Sequence, residues 1–393
     1  MRGLRKYLTP FAPDQSGAVS VLYELGGLIA ICDAGGCTGN VCGFDEPRWF
    51  EQKSALFSAG LRDMDAILGR DDRLVEKLVD AASKLDVKFV AIIGTPVPAV
   101  IGTDYKALGR MCEKRLNMPV ITIDTDGMEL YDVGEEKAWL ELFGTFAEKG
   151  KPNLDIEKKR GKIGVLGLTP QDISDLRAPK KIREYYQEKE GKEAICYCMG
   201  ENVCRSTYGL DNHRTAGEVE KNIVVSPAAL AAAKYLEKTF GTPYEATYPI
   251  VEELVPDMDY RGKKILIVHQ QVIGNAMRAE IRRRCQKVNE DSSVDNNAAI
   301  TVASWFMMKP ELSEEGDISF REEDDYMELV KEEDYDIVFA DPMMKRMTED
   351  AYKMAGTGCV ADAHETERKR IFIDATHFAV SGKLREEMKK REA

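Results

Sequence analysis

Short apolar runs alternate with longer helical patterns along most of the chain. In the first part, FVAIIG (residues 89–94) and PVITIDT (119–125) predict two strands, with a helix near residues 103–116 between them. Strands rich in β-branched residues that alternate with helices are typical of βαβ units and parallel sheets. The pattern therefore predicts an α/β fold made of open parallel sheets.

The same alternation continues in two further blocks. The second block contains a predicted helix that ends at Gly241 and three predicted strands: KIGVLGLTP (162–170), EAICYCMGE (193–201) and NIVVSP (222–227). The third block contains four predicted strands: KKILIVHQ (263–270), AAITVASWFM (298–307), YDIVFADP (335–342) and KRIFIDATH (369–377). We expect three α/β domains over residues 1–150, 151–258 and 259–393, with the charged stretch 147–162 as a linker.

Composition narrows the classes of partner. Among 393 residues, 55 Lys and Arg oppose 68 Asp and Glu, so the net charge is −13. This balance argues against nucleic acid and anionic membranes as partners and favours small molecules or proteins. We find no secretory signal and no membrane-spanning run, and expect a cytoplasmic protein. The nine cysteines then indicate reduced thiols or metal ligands rather than a disulfide framework.

Three cysteines lie at intervals of five in the glycine-rich stretch ICDAGGCTGNVCG (31–43). Cys32, Cys37 and Cys42 resemble thiolates held on a compliant loop, the arrangement that an iron–sulfur cluster needs. The glycines, Gly36 among them, let the backbone approach a bulky inorganic group closely. Buried structural cysteines fit the spacing equally well, so the spacing alone leaves both interpretations open.

Other candidate residues follow the predicted strands, because ligands of open α/β sheets sit at the carboxyl ends of the strands. His269, His377 and Asp341 end such runs, although a structural histidine is the more common finding. The stretch CYCMGENVC (196–204) suggests a second thiolate site or a redox pair, with core packing favoured. A nucleotide-binding P-loop motif, G-x-x-x-x-G-K-[ST], does not occur in the sequence.

Several segments resemble, in the same order, those of the nitrogenase component 1 superfamily. SGAVSVLYELGGLIAICDAGGC (16–37) resembles A-x-x-G-x-x-G followed by an apolar run and H-G-P-x-G-C, with Cys37 in the place of the cysteine and Cys32 in that of the histidine. TPVPAVIGTD (95–104) resembles T-C-P-x-x-I-G-D-D, with Pro96 in the cysteine place and Asp104 at the second acidic place. Three later segments continue the order: residues 222–249, 263–282 and 372–382.

This superfamily includes the molybdenum-iron protein subunits, their cofactor-assembly scaffolds, the dark-operative protochlorophyllide reductase subunits and the homodimeric enzyme of coenzyme F430 synthesis. The resemblance implies three Rossmann-like domains of the nitrogenase component 1 type. It also implies a homodimer with a [4Fe-4S] cluster shared between two subunits. A separate P-loop iron–sulfur reductase that hydrolyses ATP would supply low-potential electrons for a small-molecule substrate.

Departures from the family pattern limit what the resemblance implies. Of the three cysteine places that hold an eight-iron P-cluster the chain keeps Cys37, with Phe11 near the first place and Pro96 at the third. A smaller cluster is therefore expected, with Cys37 as one ligand and Cys42 or Cys32 as the second. Ser226 falls at the place of the cysteine that anchors the iron-molybdenum cofactor, so dinitrogen reduction is not expected.

We therefore expect a nitrogenase-like reductase in which His377, His269 and Asp104 are candidate proton donors. Asp104 fits a helix cap as well as it fits catalysis. The alternative function is a scaffold or carrier on which a metal cofactor or tetrapyrrole is assembled. A third possibility is a small-molecule-binding α/β protein that has lost its cluster and keeps the cysteines for packing.

Overall fold

The computed structural model describes residues 5–50, 54–69, 71–147, 161–199, 209–287, 297–354 and 370–377. Its strands are β1 Leu28–Ile31, β2 Ala55–Ser58, β3 Val90–Ile93, β4 Val120–Ile123, β5 Lys162–Leu166, β6 Glu193–Cys196, β7 Lys221–Val224, β8 Tyr244–Ala246, β9 Lys264–Val268, β10 Ala299–Ser304, β11 Ile318–Ser319, β12 Ile337–Ala340 and β13 Ile371–Asp374.

The α-helices are α1 Asp14–Leu22, α2 Gly36–Asn40, α3 Asp63–Leu68, α4 Asp71–Ser83, α5 Pro96–Val100, α6 Tyr105–Leu116, α7 Tyr131–Phe146, α8 Ala178–Glu190, α9 Leu210–Arg214, α10 Leu230–Phe240, α11 Gln271–Lys287, α12 Glu323–Glu333 and α13 Lys345–Met354. Short 3-10 helices and one π-helical turn, Val41–Asp45, complete the regular structure of the described residues.

The strands form three sheets in which paired strands run parallel. Their orders are β2-β1-β3-β4, β6-β5-β7-β8 and β11-β10-β9-β12-β13. The central strands β1 and β3 are buried along their whole length, as strands covered on both faces by helices must be. The predicted α/β class with three Rossmann-like parallel sheets is confirmed, and each strand quoted above from the sequence has a counterpart.

Two glycines allow helices α1 and α7 to cross at very short range. A Cβ atom added at Gly17 would lie 1.9 Å from the carbonyl oxygen of Tyr131, and one added at Gly134 would lie 1.8 Å from that of Asp14. Any larger residue would force the two backbones apart. Helix α1 is buried from Asp14 to Leu22, so this crossing fixes its position within the core.

The chain divides into two compact units. One comprises Met1–Pro10, Val225–Pro227 and Ala246–Phe378, and the other Phe11–Val224, Ala228–Glu245 and Ala379–Ala393. The predicted domain boundaries at 150 and 258 stay a prediction, and most of the predicted linker lies outside the described residues. None of the helices in the described part of the chain combines the length and the apolar composition of a membrane span.

Candidate functional site

The glycine-rich turn leaves the carboxyl end of β1 and continues as helix α2 and the π-helical turn Val41–Asp45. Gly35 begins the helix with a φ of 117°, in the left-handed region that favours glycine. Cys37 lies on α2 and Cys42 on the π-helical turn, and both side chains are half-buried. The structure therefore presents two thiols of similar accessibility on one short helical segment.

Both thiols are held in the neutral form by their surroundings. Burial raises the pKa of Cys37 and of Cys42, and in each case the negative charge of Asp33 raises it further. A metal ion or cluster competes with the proton for a thiol, so binding would have to overcome this preference by its own positive charge. Without a bound metal, neither thiol is therefore favoured as a free, reactive thiolate.

Asp33 connects the turn to the edge of the sheet. Its carboxylate accepts hydrogen bonds from the Thr38 amide at 2.7 Å, the Thr38 hydroxyl at 3.0 Å and the Ser58 hydroxyl at 2.6 Å. Asp33 is itself buried. Asp33 was not predicted from the sequence, although its place directly after an apolar run was a usable signal.

The far end of the turn is fixed to helix α1. The Asp45 carboxylate accepts hydrogen bonds from the Ser16 hydroxyl at 2.7 Å and the Asn40 side-chain amide at 2.6 Å. Just beyond it, the buried Arg48 guanidinium donates to the Ser20 carbonyl at 2.7 Å and pairs with Glu46 at 2.7 Å. Each end of the turn is therefore anchored through a buried carboxylate, Asp33 at one end and Asp45 at the other.

Cys32 lies in a different environment from the other two cysteines of the turn. Its side chain belongs to the apolar core cluster of the first sheet, together with Leu74, Val75 and Cys112. Burial raises its pKa to about 12. Because Cys37 and Cys42 share a half-buried environment and Cys32 does not, Cys42 is the better candidate for the second ligand.

Apolar side chains are exposed at the same edge of the sheet. Phe44 in the turn is 55% exposed, and beyond the neighbouring strand β3 Val100 is 87% exposed. Met128, which follows β4, is 81% exposed. Because β1, β3 and β4 are adjacent and parallel, these residues follow strand ends at one edge. The carboxyl end of this sheet is therefore followed by three exposed apolar side chains.

The structure places Gly36 and the two residues that stand at the missing cysteine places, Phe11 and Pro96, in different surroundings. A Cβ atom added at Gly36 would meet nothing within 4 Å. Pro96, in the cysteine place of the family pattern, packs against Gly127 instead. Phe11 is buried. Among the described residues, no three His, Cys, Asp or Glu side chains are grouped so that they could hold a metal ion.

The predicted proton donors His269 and His377 lie together in the other compact unit. Their rings stack with centroids 4.3 Å apart, and the His377 amide donates to the Asp341 carboxylate at 3.1 Å. Both side chains are buried. Burial lowers the pKa of His269 to about 3 and that of His377 well below its usual value. Both rings are therefore buried in the neutral form, and their role as proton donors stays a prediction.

Asp104 caps a helix, one of the two roles expected from the sequence. Its carboxylate accepts a hydrogen bond from the Ala107 amide at 2.9 Å at the start of α6. Asp104 lies in the same compact unit as the glycine-rich turn. Its catalytic role stays a prediction.

The cysteines of residues 196–204 do not form a thiolate pair in the described part of the chain. Strand β6 ends at Cys196, whose thiol lies 3.9 Å from the Pro179 carbonyl, while the Cys198 thiol contacts the Ser20 carbonyl at 3.4 Å. Both are buried, which is the packing arrangement that the sequence favoured. Cys204 lies outside the described residues.

A buried pair of carboxyl groups was not predicted from the sequence. Glu135 on α7 is hydrogen-bonded to Asp172, and burial followed by the charge of Asp172 raises its pKa well above the usual value. The Thr169 hydroxyl donates to Glu135 at 2.6 Å. The Tyr131 hydroxyl donates to Asp172 at 3.0 Å. Burial and the nearby negative charge thus favour the protonated form of Glu135.

Comparison with known proteins supports the family resemblance found in the sequence. The family described as nitrogenase component 1 type oxidoreductase matches residues 16–251, more than half of the chain. A nitrogenase iron-molybdenum cofactor biosynthesis protein NifE from Bradyrhizobium diazoefficiens is 23% identical over 194 residues, 48% of this chain and 32% of that protein. NifE from Clostridium pasteurianum is 25% identical over 244 residues, 61% of this chain and 48% of that protein.

The chain therefore spans about a third to about half of the length of these two relatives. A solved structure, nitrogenase Cp1 at pH 6.5, superposes with a TM-score of 0.63 at 13% identity and covers 100% of this chain and 93% of that one. A second solved structure, nitrogenase Cp1 at pH 5, superposes with a TM-score of 0.60 at 14% identity. It covers 88% of this chain and 82% of that one. These two structures share the fold, and by its sequence the chain belongs to the nitrogenase component 1 type oxidoreductase family.

Proposed function

We propose that the chain is the catalytic component of a nitrogenase-like reductase. Two copies would hold a [4Fe-4S] cluster between them through Cys37 and Cys42 of each chain. A separate P-loop iron–sulfur reductase would deliver low-potential electrons, and a small-molecule substrate would receive them. The observation that carries this proposal is the pair of half-buried thiols on a glycine-rich turn, in a chain of this family.

Two thiols per chain would supply half of the ligands of a four-iron cluster. A [4Fe-4S] cluster takes about four thiolates, and Cys37 and Cys42 supply two per chain. The open space beside Gly36 and the exposed Phe44 lie on this same turn. A second copy of the chain, placed against the turn at the carboxyl end of the first sheet, would complete the set of four thiolates and shield the cluster from water. When bound, the cluster would supply single-electron transfer, while the protein would set its dielectric surroundings.

Anaerobic reconstitution with iron and sulfide tests this proposal. We expect about two irons per chain, a dimer in solution and a paramagnetic signal after reduction. The single variants Cys37→Ala and Cys42→Ala should lose iron and the signal. The matched control Cys112→Ala, which changes a fully buried core thiol, should keep both. An iron-free wild-type protein after reconstitution would exclude the proposal.

The second candidate function is a scaffold or carrier for the assembly of a metal cofactor or tetrapyrrole. It is favoured by the two relatives, both of which are named as iron-molybdenum cofactor biosynthesis proteins. Turnover distinguishes the two functions. A reductase should oxidise its reduced cluster repeatedly when substrate is present, whereas a scaffold should release a bound product once to an acceptor protein.

A further inference from the structure

We propose that Asp33 is a positioning residue that fixes the cysteine turn to the sheet and lowers the reduction potential of the cluster bound there. This inference rests on the proposed function for the potential, whereas the positioning role stands on the hydrogen bonds alone. Neither the family pattern, which has glycine at this place, nor the relatives' names assign a role to Asp33.

The geometry makes Asp33 the link between three elements. It follows β1, and its carboxylate reaches forward to Thr38 on α2 and sideways to Ser58 at the end of β2. All three bonds have a donor group on Thr38 or Ser58, so the Asp33 carboxylate acts only as an acceptor. Hydrogen bonds to a charged acceptor are roughly twice as strong as neutral ones.

The hydrogen bonds from Thr38 to Asp33 orient the backbone next to the Cys37 thiol. Thr38 directly follows Cys37, so holding its amide and hydroxyl fixes the backbone that carries the Cys37 side chain. Ser58 belongs to β2, which pairs with β1 along its whole length. The turn is thereby tied to two neighbouring strands of one rigid sheet rather than to β1 alone.

The same carboxylate places a negative charge close to the Cys37 ligand, because it accepts hydrogen bonds from the amide and the hydroxyl of the next residue, Thr38. Asp33 is only 2% exposed, so water screens this charge weakly. Adding an electron beside a fixed negative charge is unfavourable, and the cluster potential should therefore be lower than without Asp33.

Two measurements on the full chain test the inference. Hydrogen exchange of the unloaded protein reports how firmly the Thr38 amide is held. A redox titration of the reconstituted protein, followed by paramagnetic resonance, gives the midpoint potential. The test variant Asp33→Asn removes the charge, and Ser58→Ala removes one hydrogen bond while keeping the charge. Asp80→Asn, which changes an exposed carboxylate on α4, is the matched control.

We expect Asp33→Asn to exchange its Thr38 amide about tenfold faster and to shift the midpoint potential upward. Ser58→Ala should loosen the turn and leave the potential near that of the wild type, and Asp80→Asn should change neither. Unchanged Thr38 exchange in Asp33→Asn overturns the positioning role. A potential equal to that of the Asp80→Asn control overturns the electrostatic role. If the wild type binds no cluster, the proposed function fails and Thr38 exchange alone decides for or against Asp33.

Discussion

His269 and His377 stack face to face at the carboxyl ends of β9 and β13, with their ring planes 21° apart. Phe306 packs edge-on against the His377 ring with centroids 4.8 Å apart. The Gln270 amide donates to Nδ1 of His269 at 2.8 Å, so this nitrogen carries no proton and the ring is neutral. The pair therefore acts as a buried aromatic contact between two strand ends.

Acid should weaken this contact. The pKa of His269 is about 3 in the folded chain, below its ordinary value of 6.5, so the unfolded chain binds more protons between these values. Its contribution to the free energy of unfolding is complete above pH 6.5 and falls by about 1.4 kcal/mol for each pH unit below it. Urea unfolding of the wild type and of His269→Phe between pH 7 and pH 5 measures this change in the free energy of unfolding. Hydrogen exchange at β9 measures the local effect over the same pH range. An equal pH slope in both proteins would contradict the prediction.

The close crossing of α1 and α7 predicts opposite effects of alanine at two glycines of one helix. Gly134→Ala should lower the free energy of unfolding by about 3 kcal/mol, because its Cβ atom would overlap the backbone of Asp14. In Gly144→Ala the new Cβ atom would meet nothing within 4 Å, and helix propensity should stabilise the chain by up to about 1 kcal/mol. Chemical denaturation measures both, and similar stabilities of the two variants would contradict the crossing.

Replacing Cys32 should separate stability from iron content. Cys32→Ser places a hydroxyl in an apolar core and should lower the free energy of unfolding by about 1 to 3 kcal/mol. If Cys42 is the second ligand, the reconstituted variant should still hold as much iron as the wild type. Thermal unfolding and iron analysis measure the two effects. Loss of iron without loss of stability would instead identify Cys32 as a ligand.

The Glu135–Asp172 pair predicts a stability loss at high pH. The pKa of Glu135 is raised above its ordinary value of 4.5, so its contribution is complete below that value and is lost as the pH rises towards the folded pKa. Glu135→Gln mimics the protonated acid and should match the wild type at pH 5 but exceed its stability at pH 8. The control Glu136→Gln, on the same helix, should not produce this difference. Denaturant unfolding at both pH values checks the prediction.

The sequence predicted the sheets well because buried parallel strands are nearly continuous apolar runs. KKILIVHQ and YDIVFADP show this directly, since β9 and β12 lie within these segments and pair with each other. The end of α10 at Gly241 was also predictable, because a left-handed C-cap favours glycine. Such features depend on neighbours in the sequence and need no knowledge of the tertiary structure.

The candidate site was only partly predictable, because its contacts join distant residues. The spacing of Cys32, Cys37 and Cys42 treats the three as equals, whereas the end of β1 turns Cys32 into the core and leaves the other two half-buried. Asp33 follows β1 and is hydrogen-bonded to Ser58 of β2. Glu135 of α7 lies near Asp172, which follows β5. Periodicity carries no information on such pairs.

The anchoring of the turn limits how its chemistry can be copied in a smaller molecule. Ser58 is hydrogen-bonded to Asp33 at one end of the turn, and Ser16 to Asp45 at the other. Helix α1, which carries Ser16, packs closely against α7 at Gly134. A synthetic peptide of residues 28–50 would contain both half-buried cysteines but none of these supports. The smallest faithful mimic of this turn should therefore span the first sheet together with α1 and α7, up to Phe146.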